Sequence, residues 1–314
     1  MKNILVLGIH GTFGKEIAKT LHKNGLNVTG FARSRKHMPK EMHGIQITYG
    51  DIADANSLKK AVQNIDVIIY AINPPKYNWK NTAVPYLDNV ARLAEQEKLT
   101  LVFPGNVYVF DPNDGPDFYE TDELKPTTEK GYIRQAMEQR LKQASKAGAK
   151  VIILRMGDFI SNNPRSCWLP HLIKPHKNSY TLLSLGQREL THTWAHLPDA
   201  ANIIYQLILR SSELAAYNVF HYRGIQFSSV DLAKTIEEIS GKKVKLKNFP
   251  WLIIKLMSPF STLFSGMYEM RYLWDKPINL VDDKLKSFLG EDLKTTCLKK
   301  ALLTTNVIKL TNKT

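Results

Sequence analysis

The sequence predicts an α/β fold of the Rossmann type: a doubly wound parallel sheet with a smaller, mostly helical C-terminal substrate domain. Two observations lead to this prediction. Short apolar strands alternate with amphipathic helices through the first half of the 314-residue chain, which is typical of a parallel sheet covered by helices on both faces. A glycine-rich turn at residues 8–14 follows the first strand and opens the first helix, the context in which such turns bind phosphate groups.

The spacing of apolar residues predicts the individual elements. Strands are expected at 4–7, 27–31, 46–49, 66–70, 100–103, 150–154 and 217–220, and helices at 12–24, 82–97, 128–147 and 198–210. Gly25 is expected to end the first helix, because glycine readily adopts the left-handed conformation found there. Residues 161–190 show no clear period, and the chain from Ser228 onward is predicted to be mainly helical.

The change of pattern after Arg155 suggests two domains. Residues 1–155, with 192–222 returning to them, are expected to form the dinucleotide-binding domain. Residues 156–191 and 223–314 are expected to form the smaller domain. The apolar stretch 249–264 is interrupted by Pro259 and carries few charges, which favours packing within the chain or at a homodimer face over contact with a membrane.

Composition narrows the environment and the partners. The formal charge is +14, but the lysines are scattered and no nucleic-acid-binding motif is visible, so we expect a phosphate-bearing cofactor and no nucleic acid. Two cysteines outside any CxxC pattern favour a reducing compartment and disfavour structural zinc. The apolar run 4–7 is too short for a signal peptide, and no window reaches the ~18 apolar residues of a membrane span. A cytoplasmic protein without a metal or a membrane partner is therefore expected.

The glycine turn predicts where a dinucleotide binds. Its glycines permit close approach of the pyrophosphate, which then faces backbone amides and the positive end of the helix dipole. The expected contacts in the turn are Gly8, His10, Gly11, Thr12, Phe13 and Gly14. Others are expected at the ends of the next strands, from Asp51, Ile52, Ala71, Ile72 and Asn73. Asp51 could accept a hydrogen bond from the adenine amino group; a merely structural strand–helix turn is the alternative.

The residues after the second strand favour NADP over NAD. NAD sites usually have an acidic residue here, which binds the ribose hydroxyls, whereas this chain continues Arg33-Ser34-Arg35-Lys36. Cations suit a 2′-phosphate, and a carboxylate would repel it. We therefore expect Arg33, Ser34 and Arg35 to contact the cofactor. A solvated basic loop is the alternative.

The chain resembles the extended short-chain dehydrogenase/reductase superfamily, in the branch of the NAD-dependent epimerase/dehydratase family. The resemblance rests on the turn 8–14, the Gly50-Asp51 corner, the stretch 154–158 (Leu-Arg-Met-Gly-Asp) and the segment 194–201. It implies a Rossmann sheet with a small substrate-binding domain, and a reaction in which hydride moves between a substrate carbon and nicotinamide.

The resemblance also implies a catalytic Ser or Thr near the end of the fifth strand, followed by Tyr and Lys four residues apart on the next helix. Matched on Tyr108, the hydroxyl position is occupied by Pro104. Asn106 and Tyr108 are therefore the candidates at this strand end, where Tyr108 could supply a phenol proton or simply pack.

Two alignments of the helix remain open. If Glu138 matches the family's helix glutamate, Lys130 stands at the Tyr position and Arg134 at the Lys position. If Tyr132 is the catalytic Tyr, Ala136 replaces the lysine. Lys130, Arg134 and Tyr132 are therefore all candidate catalytic residues, and Lys130 could also hold the nicotinamide ribose. A solvated basic helix face is the alternative.

The substrate positions depart from those of nucleotide-sugar members. Asp158 stands where those members have Asn, and His192 where they commonly have Arg. A carboxylate is a poor neighbour for a pyrophosphate, so we expect a small polar or carbonyl substrate in the interdomain cleft. His196 is expected to be a structural histidine, and the alternation His192-Thr-Trp194-Ala-His196 is a weak metal pattern.

Two functions fit these observations. The first is an NADP(H)-dependent oxidoreductase or epimerase. The second is an NADP-binding sensor or regulatory protein that has lost its chemistry, which Pro104 and the broken Tyr-x-x-x-Lys pattern favour.

Overall fold

A computed structural model describes residues 2–34, 42–161, 163 and 166–308. The strands are β1 (Asn3–Leu7), β2 (Asn27–Ala32), β3 (Gln46–Tyr49), β4 (Val67–Tyr70), β5 (Thr100–Asn106), β6 (Asp117–Phe118), β7 (Lys150–Met156), β8 (Asp158–Ile160), β9 (Ile173–Pro175), β10 (Ser179–Ser184), β11 (His192–His196), β12 (Tyr217–His221), β13 (Ile225–Phe227), β14 (Lys243–Asn248) and β15 (Asn279–Leu280). The helices are α1 (Thr12–Lys23), α2 (Ala55–Ala61), α3 (Ala83–Gln96), α4 (Glu129–Lys146), α5 (Leu169–Leu172), α6 (Leu197–Leu209), α7 (Ser229–Ser240), α8 (Trp251–Met257), α9 (Thr262–Glu269), α10 (Asp283–Leu289) and α11 (Leu298–Thr304).

The centre of the molecule is a seven-stranded sheet with the order β3-β2-β1-β4-β5-β7-β12, in which every neighbouring pair is parallel. Its strands are continuous apolar runs because both faces are covered by helices, and a separate hydrophobic core lies on each face. This confirms the predicted fold class. The strand order reverses between β1 and β4, and ligands of such sheets bind in the crevice at this point, outside the carboxyl ends of the strands.

The elements predicted in the first half of the chain are present with small shifts of their ends. Helix α1 buries Phe13, Ile17 and Leu21 on one face and packs against α6. Gly25 follows it with φ +81°, the left-handed conformation expected at the end of this helix. The sequence reading omitted α2, a seven-residue helix whose first amides are capped by the Asp54 carboxylate. Asp54 therefore acts as a helix cap.

The C-terminal part has its own hydrophobic core, formed mainly by residues beyond 160. The chain after Ser228 is mainly helical, as expected, and β14 is its longest strand among the described residues; it pairs in parallel with β10. Its sequence, Lys-Val-Lys-Leu-Lys-Asn, alternates as an edge strand does, with exposed lysines on one face. Strand β12 joins the large sheet, whereas β11 pairs with β8 and β13 in a separate three-stranded sheet.

The outer side of the apolar stretch 249–264 is exposed. This differs from the expectation that the stretch packs within the chain. Leu252 is 70% exposed and Phe260 is 82% exposed, because α8 packs against the body only through its inner face. Among the described residues, no helix has both the length and the apolar character needed to cross a membrane.

Candidate functional site

The glycine turn between β1 and α1 forms a cradle that side chains would fill. Gly8 has φ +83°, and a Cβ there would lie 2.7 Å from the carbonyl oxygen of Ala71. A Cβ on Gly14 would lie 2.4 Å from the carbonyl oxygen of Gly8. No side chain caps the start of α1, which begins after Gly11 without an acidic residue in its first turn. The free amides and the helix dipole therefore suit an anion such as a pyrophosphate.

The side chains of Phe13, Thr12 and His10, which were also predicted to contact the dinucleotide, differ in how accessible they are to a ligand. The Phe13 side chain is buried and stacks on Phe159 at 6.1 Å, so only its backbone can face a ligand. The Thr12 hydroxyl accepts hydrogen bonds from Asn163 Nδ2 and Ser166 Oγ, both at 2.6 Å. These bonds bring the segment after β8 against the turn. His10 is half-buried beside them.

Arg33 and Ser34 lie exposed at the carboxyl end of β2, the position that a 2′-phosphate or the ribose hydroxyls occupy in this fold. Arg35, which we also predicted to contact the cofactor, lies outside the described residues. The side chains of both described residues reach solvent beside the crevice, so neither is removed from the candidate site by packing.

The ends of β3 and β4 complete the predicted dinucleotide contacts. Asp51 is exposed, and its Oδ1 accepts the Ala53 amide at 2.9 Å, which closes the turn before α2. The Ile52 side chain is only 4% exposed and belongs to the core, so its side chain is not a ligand contact. Ala71 lies directly beside the glycine turn, and Asn73 is exposed.

The beginning of α4 brings two of the candidate catalytic residues inward. Lys130 is 6% exposed, and its ammonium and backbone amide both bind the Glu269 carboxylate from α9. Arg134 lies one turn later on the same face. Tyr132 is 58% exposed on another side of the helix, so the structure does not bring it together with Lys130 and Arg134. Of the two alignments left open by the sequence, the one with Lys130 and Arg134 matches the inward face.

Arg134 lies in an aromatic cage. Its guanidinium is 4.6 Å from the ring centre of Trp79 and 5.5 Å from that of Phe103, and burial lowers its pKa. Within the described part of the chain, its Nε has no hydrogen-bond partner. A buried cation with an unused donor needs a compensating group, which a bound ligand can supply.

Tyr108 follows β5 in a short 3-10 turn and stacks on Trp79 at 6.1 Å. Burial raises its pKa well above the usual range, and the nearby Tyr77 and Asp158 raise it further. The Asn106 Oδ1 accepts the backbone amide of Tyr108 at 3.1 Å, so Asn106 fixes the turn that carries this tyrosine. Tyr108 therefore stays protonated at neutral pH.

Tyr77 lies with Tyr108, Trp79 and Arg134 in one cluster, and the sequence did not predict its presence there. Its hydroxyl interacts with that of Tyr108, and burial raises its pKa above the usual range. Tyr77 and the preceding Lys76 both have positive φ, +57° and +56°, which is uncommon for residues other than glycine and is often found at functional sites. The Pro74-Pro75 pair after β4 marks the turn in the sequence but does not reveal its shape.

A small pocket lined by Val107, the residue before Tyr108, contains the two residues that departed from the nucleotide-sugar pattern. Asp158 and His192 line it together with the apolar side chains of Val107, Leu273, Trp274 and Ile278. Burial raises the pKa of Asp158 to about 7 and lowers that of His192 to about 4. His192 is thus neutral at neutral pH, with its ring 4.8 Å from that of Trp274. Among the described residues, Asp158 has no hydrogen-bond or ion-pair partner.

Arg155, from the stretch 154–158, is structural. Its guanidinium binds the Glu138 carboxylate, with Nη2 to Oε2 at 2.6 Å, and both side chains are at most 3% exposed. Arg155 Nη1 also lies 3.2 Å from His221 Nε2. Burial and Arg155 lower the pKa of His221 to about 3, so this imidazole is neutral and can accept from the guanidinium while its Nδ1 donates to the Phe118 carbonyl. The network joins α4 to β7 and β12.

His196 has the structural surroundings we expected. Its Nδ1 lies 3.0 Å from the Asp199 carboxylate, which also accepts the Thr296 amide at 2.8 Å. His192 instead contacts Trp274 in the pocket. In the described ranges, no three His, Cys, Asp or Glu side chains are grouped closely enough to hold a metal ion.

The parallel sheet, the side-chain-free cradle and the switch between β1 and β4 define a Rossmann-type dinucleotide-binding protein. The model of the NAD dependent epimerase/dehydratase family matches residues 4–220. The chain therefore belongs to this family, and its cofactor is a nicotinamide dinucleotide. Membership confirms the resemblance inferred from the residues and identifies an oxidoreductase- or epimerase-type scaffold for a small-molecule substrate.

Individual relatives are distant. A 70-residue segment is 33% identical to 2-alkyl-3-oxoalkanoate reductase of Shewanella oneidensis (strain MR-1) and spans 22% of this chain and 18% of that protein. L-threonine dehydrogenase from Clostridium difficile is 18% identical, with a TM-score of 0.75 over 98% of each chain. A short-chain dehydrogenase/reductase superfamily protein from Agrobacterium tumefaciens with bound NAD is 14% identical, with a TM-score of 0.73 over 97% of this chain and 96% of that one. At these identities the two structures support the fold alone.

Proposed function

We propose that the protein is an NADP(H)-dependent oxidoreductase or epimerase that acts on a small polar carbonyl or hydroxyl compound in the cleft beside Tyr108. The observation that carries the proposal is the half-buried Tyr108 in the turn that follows β5. Its hydroxyl interacts with that of Tyr77, and the positive charge of Arg134 acts on it. A protonated phenol beside a pocket is the group that carbonyl reduction requires.

Preference for NADP rests on Arg33. This exposed guanidinium directly follows β2, and the next residues in the sequence, Ser34-Arg35-Lys36, include no acidic side chain. A guanidinium forms paired hydrogen bonds with a phosphate, whereas NAD offers it only hydroxyl groups.

The residues of the cluster divide the chemistry between them. When bound, the nicotinamide ring accepts or supplies a hydride. The Tyr108 hydroxyl then gives a proton to the substrate oxygen during reduction, and takes it back during oxidation. Tyr77 holds that hydroxyl in place, and Arg134 stabilises the phenolate left behind, since its charge lowers the pKa of Tyr108. Asn106 fixes the turn.

Lys130, which the sequence alignment made a candidate catalytic residue, has a positioning role in this proposal. Its ammonium is neutralised by Glu269, so it holds α9 against α4 and lies 5.6 Å from the centre of the Tyr77 ring. This makes Lys130 a positioning residue for Tyr77.

The pocket favours a neutral or cationic substrate. Among the described residues that line it, Asp158 and His192 are the ionisable side chains, and neither is positively charged at neutral pH. Asp158 can accept hydrogen bonds from hydroxyl or amino groups, but it would repel a pyrophosphate. A nucleotide sugar is therefore disfavoured.

A second candidate function, an NADP-binding sensor without turnover, is favoured by one observation. Lys130, at the position where the family has its catalytic Tyr, is locked in a buried ion pair with Glu269. A sensor would bind NADPH tightly and discriminate it from NADP, with no substrate-dependent oxidation of the cofactor.

The cofactor assignment is tested by titrating the protein with NADPH and NADH, alongside Arg33→Asp and a matched control, Arg223→Asp, which makes the same charge change at an exposed position on another element. We expect NADPH to bind more tightly than NADH, and Arg33→Asp to weaken NADPH binding by about 10- to 100-fold, because a hydrogen bond to a charged group contributes roughly 1.5–3 kcal/mol. Equal loss in both variants, or no preference in the wild type, would refute the role of Arg33.

The chemistry is tested with Tyr108→Phe and a panel of small carbonyl and hydroxyl compounds, by following NADPH absorbance. We expect wild-type turnover of a neutral or amino-bearing compound, and at least a 100-fold loss in Tyr108→Phe with NADPH affinity unchanged. Tight NADPH binding without turnover across the panel would instead support the sensor.

A further inference from the structure

The strongest feature outside the cleft is an apolar surface on the α8–α9 segment. We call this surface the apolar tip; it comprises Leu252, Ile253, Leu256, Met257, Phe260 and Leu263. These are six of the eleven large hydrophobic side chains that are exposed in the described part of the chain, and they fall within twelve consecutive positions. Single exposed apolar residues are ordinary, but a cluster of this kind marks a contact surface.

The apolar tip is the outer side of a segment whose inner side is firmly packed. Ile254 is 7% exposed, and the Trp251 indole donates to the Leu185 carbonyl at 2.6 Å. Gly266 of α9 lies so close to Tyr77 that a Cβ there would be 2.6 Å from the ring. The segment is therefore held in place, and its exposed face is a fixed projection of the C-terminal part.

The charged residues of the segment that carries the apolar tip all have one sign. From Gly241 to Tyr268 the sequence contains five lysines and no acidic residue. Lys243, Lys245 and Lys247 alternate along the exposed face of β14, which leads into α8, and Lys255 is exposed within α8 itself. Apolar side chains set among lysines, without carboxylates, match the boundary between lipid headgroups and acyl chains, where long lysine side chains reach up to the phosphates.

From this pattern we propose that the apolar tip docks on the surface of an anionic lipid bilayer, with the lysines of β14 and α8 bound to the headgroups. The chain would lie on the membrane without crossing it, which departs from our expectation of no membrane partner. A second copy of the chain fits less well. In a two-fold interface this patch would meet itself, and five lysines would face five lysines without a compensating carboxylate from the segment.

The test is flotation of the full chain with vesicles of phosphatidylcholine, with or without phosphatidylglycerol. We expect binding to the anionic vesicles only, and weaker binding as salt is raised. Two variant sets divide the contributions: Leu252→Ser with Phe260→Ser, and Lys243, Lys245 and Lys247 all changed to Gln. The first should weaken binding at least 10-fold per side chain, and the second about 100-fold in total.

Matched controls use exposed residues elsewhere: Leu209→Ser for the apolar pair, and the exposed lysines 59, 60 and 142 changed to Gln for the lysine set. Both controls should float like the wild type. Because all changed side chains are exposed, the variants should keep the wild-type circular dichroism spectrum and NADPH affinity, which separates loss of docking from misfolding.

Three results would overturn the proposal. The first is that wild-type protein fails to bind anionic vesicles. The second is that the variants and their controls bind equally. The third is concentration-dependent dimerisation in light scattering that Leu252→Ser with Phe260→Ser abolishes, which would assign the face to a second copy.

Discussion

Changing Asp158 to Asn should stabilise the protein at neutral and alkaline pH. In the folded chain, burial raises the pKa of Asp158 to about 7, against an ordinary value of 3.8. The folded state therefore keeps a proton that the unfolded state releases, and unfolding releases a proton between about pH 4 and pH 7. Stability from this group is highest below pH 4 and is lost as the pH rises toward 7. Asn has nearly the same shape and does not titrate.

The magnitude follows from the two pKa values. At 1.36 kcal/mol per pKa unit, the difference corresponds to at most about 4 kcal/mol at pH 8. The unfolded chain retains some burial, which reduces the effect, so we expect Asp158→Asn to gain about 1–3 kcal/mol at pH 8 and close to nothing near pH 4.

Urea unfolding at a series of pH values between 4.5 and 8.5 measures this directly, as the difference in unfolding free energy between the variant and the wild type. Asp275→Asn, an exposed carboxylate next to the pocket residue Trp274, is the matched control and should show a small difference that does not change with pH. Parallel pH profiles for wild type and Asp158→Asn would refute the argument that this carboxylate is buried without a partner.

Two further substitutions test the cradle and the buried network. Gly8→Ala should weaken NADPH binding at least 100-fold in a fluorescence titration, because φ is +83° and the added Cβ would lie 2.7 Å from the Ala71 carbonyl oxygen. Gly115→Ala, with φ +133° and open space around it, is the control for backbone strain alone. Equal losses of NADPH affinity in both variants would contradict the role of the cradle. Glu138→Gln should cost about 3–5 kcal/mol in urea unfolding, because it leaves the Arg155 guanidinium buried without its counterion, and a loss below 1 kcal/mol would mean that water or His221 compensates the charge.

The fold and the cofactor cradle were predictable because their signals are local. Strands buried on both faces are continuous apolar runs, and a turn that must pass within 3 Å of a carbonyl oxygen excludes every residue except glycine. Gly8 and Gly14 therefore mark the cradle in the sequence itself. The location of Arg33 at the carboxyl edge of the sheet followed from the same logic, since this residue directly follows β2; its contact with the cofactor stays a prediction.

The cluster proposed to be catalytic could not be predicted in the same way, because its members come from distant parts of the chain. Tyr77, Tyr108 and Arg134 meet only when the turn after β4, the turn after β5 and the start of α4 converge at one sheet edge. The ion pair between Lys130 and Glu269 joins residues 139 positions apart. No spacing rule connects such residues.

By itself, the sequence determined the strands and long helices of the large sheet, the position of the glycine turn, and which family the chain resembles. Only the tertiary structure decided whether a polar side chain is paired within the protein or is left available to a ligand. Arg155 on β7 and Arg134 on α4 both carry guanidiniums drawn away from solvent, yet Arg155 is paired with Glu138, whereas the Nε of Arg134 has no hydrogen-bond partner among the described residues. The physical reason is that desolvation and pairing depend on neighbours in space, whereas backbone propensity depends on neighbours in the chain.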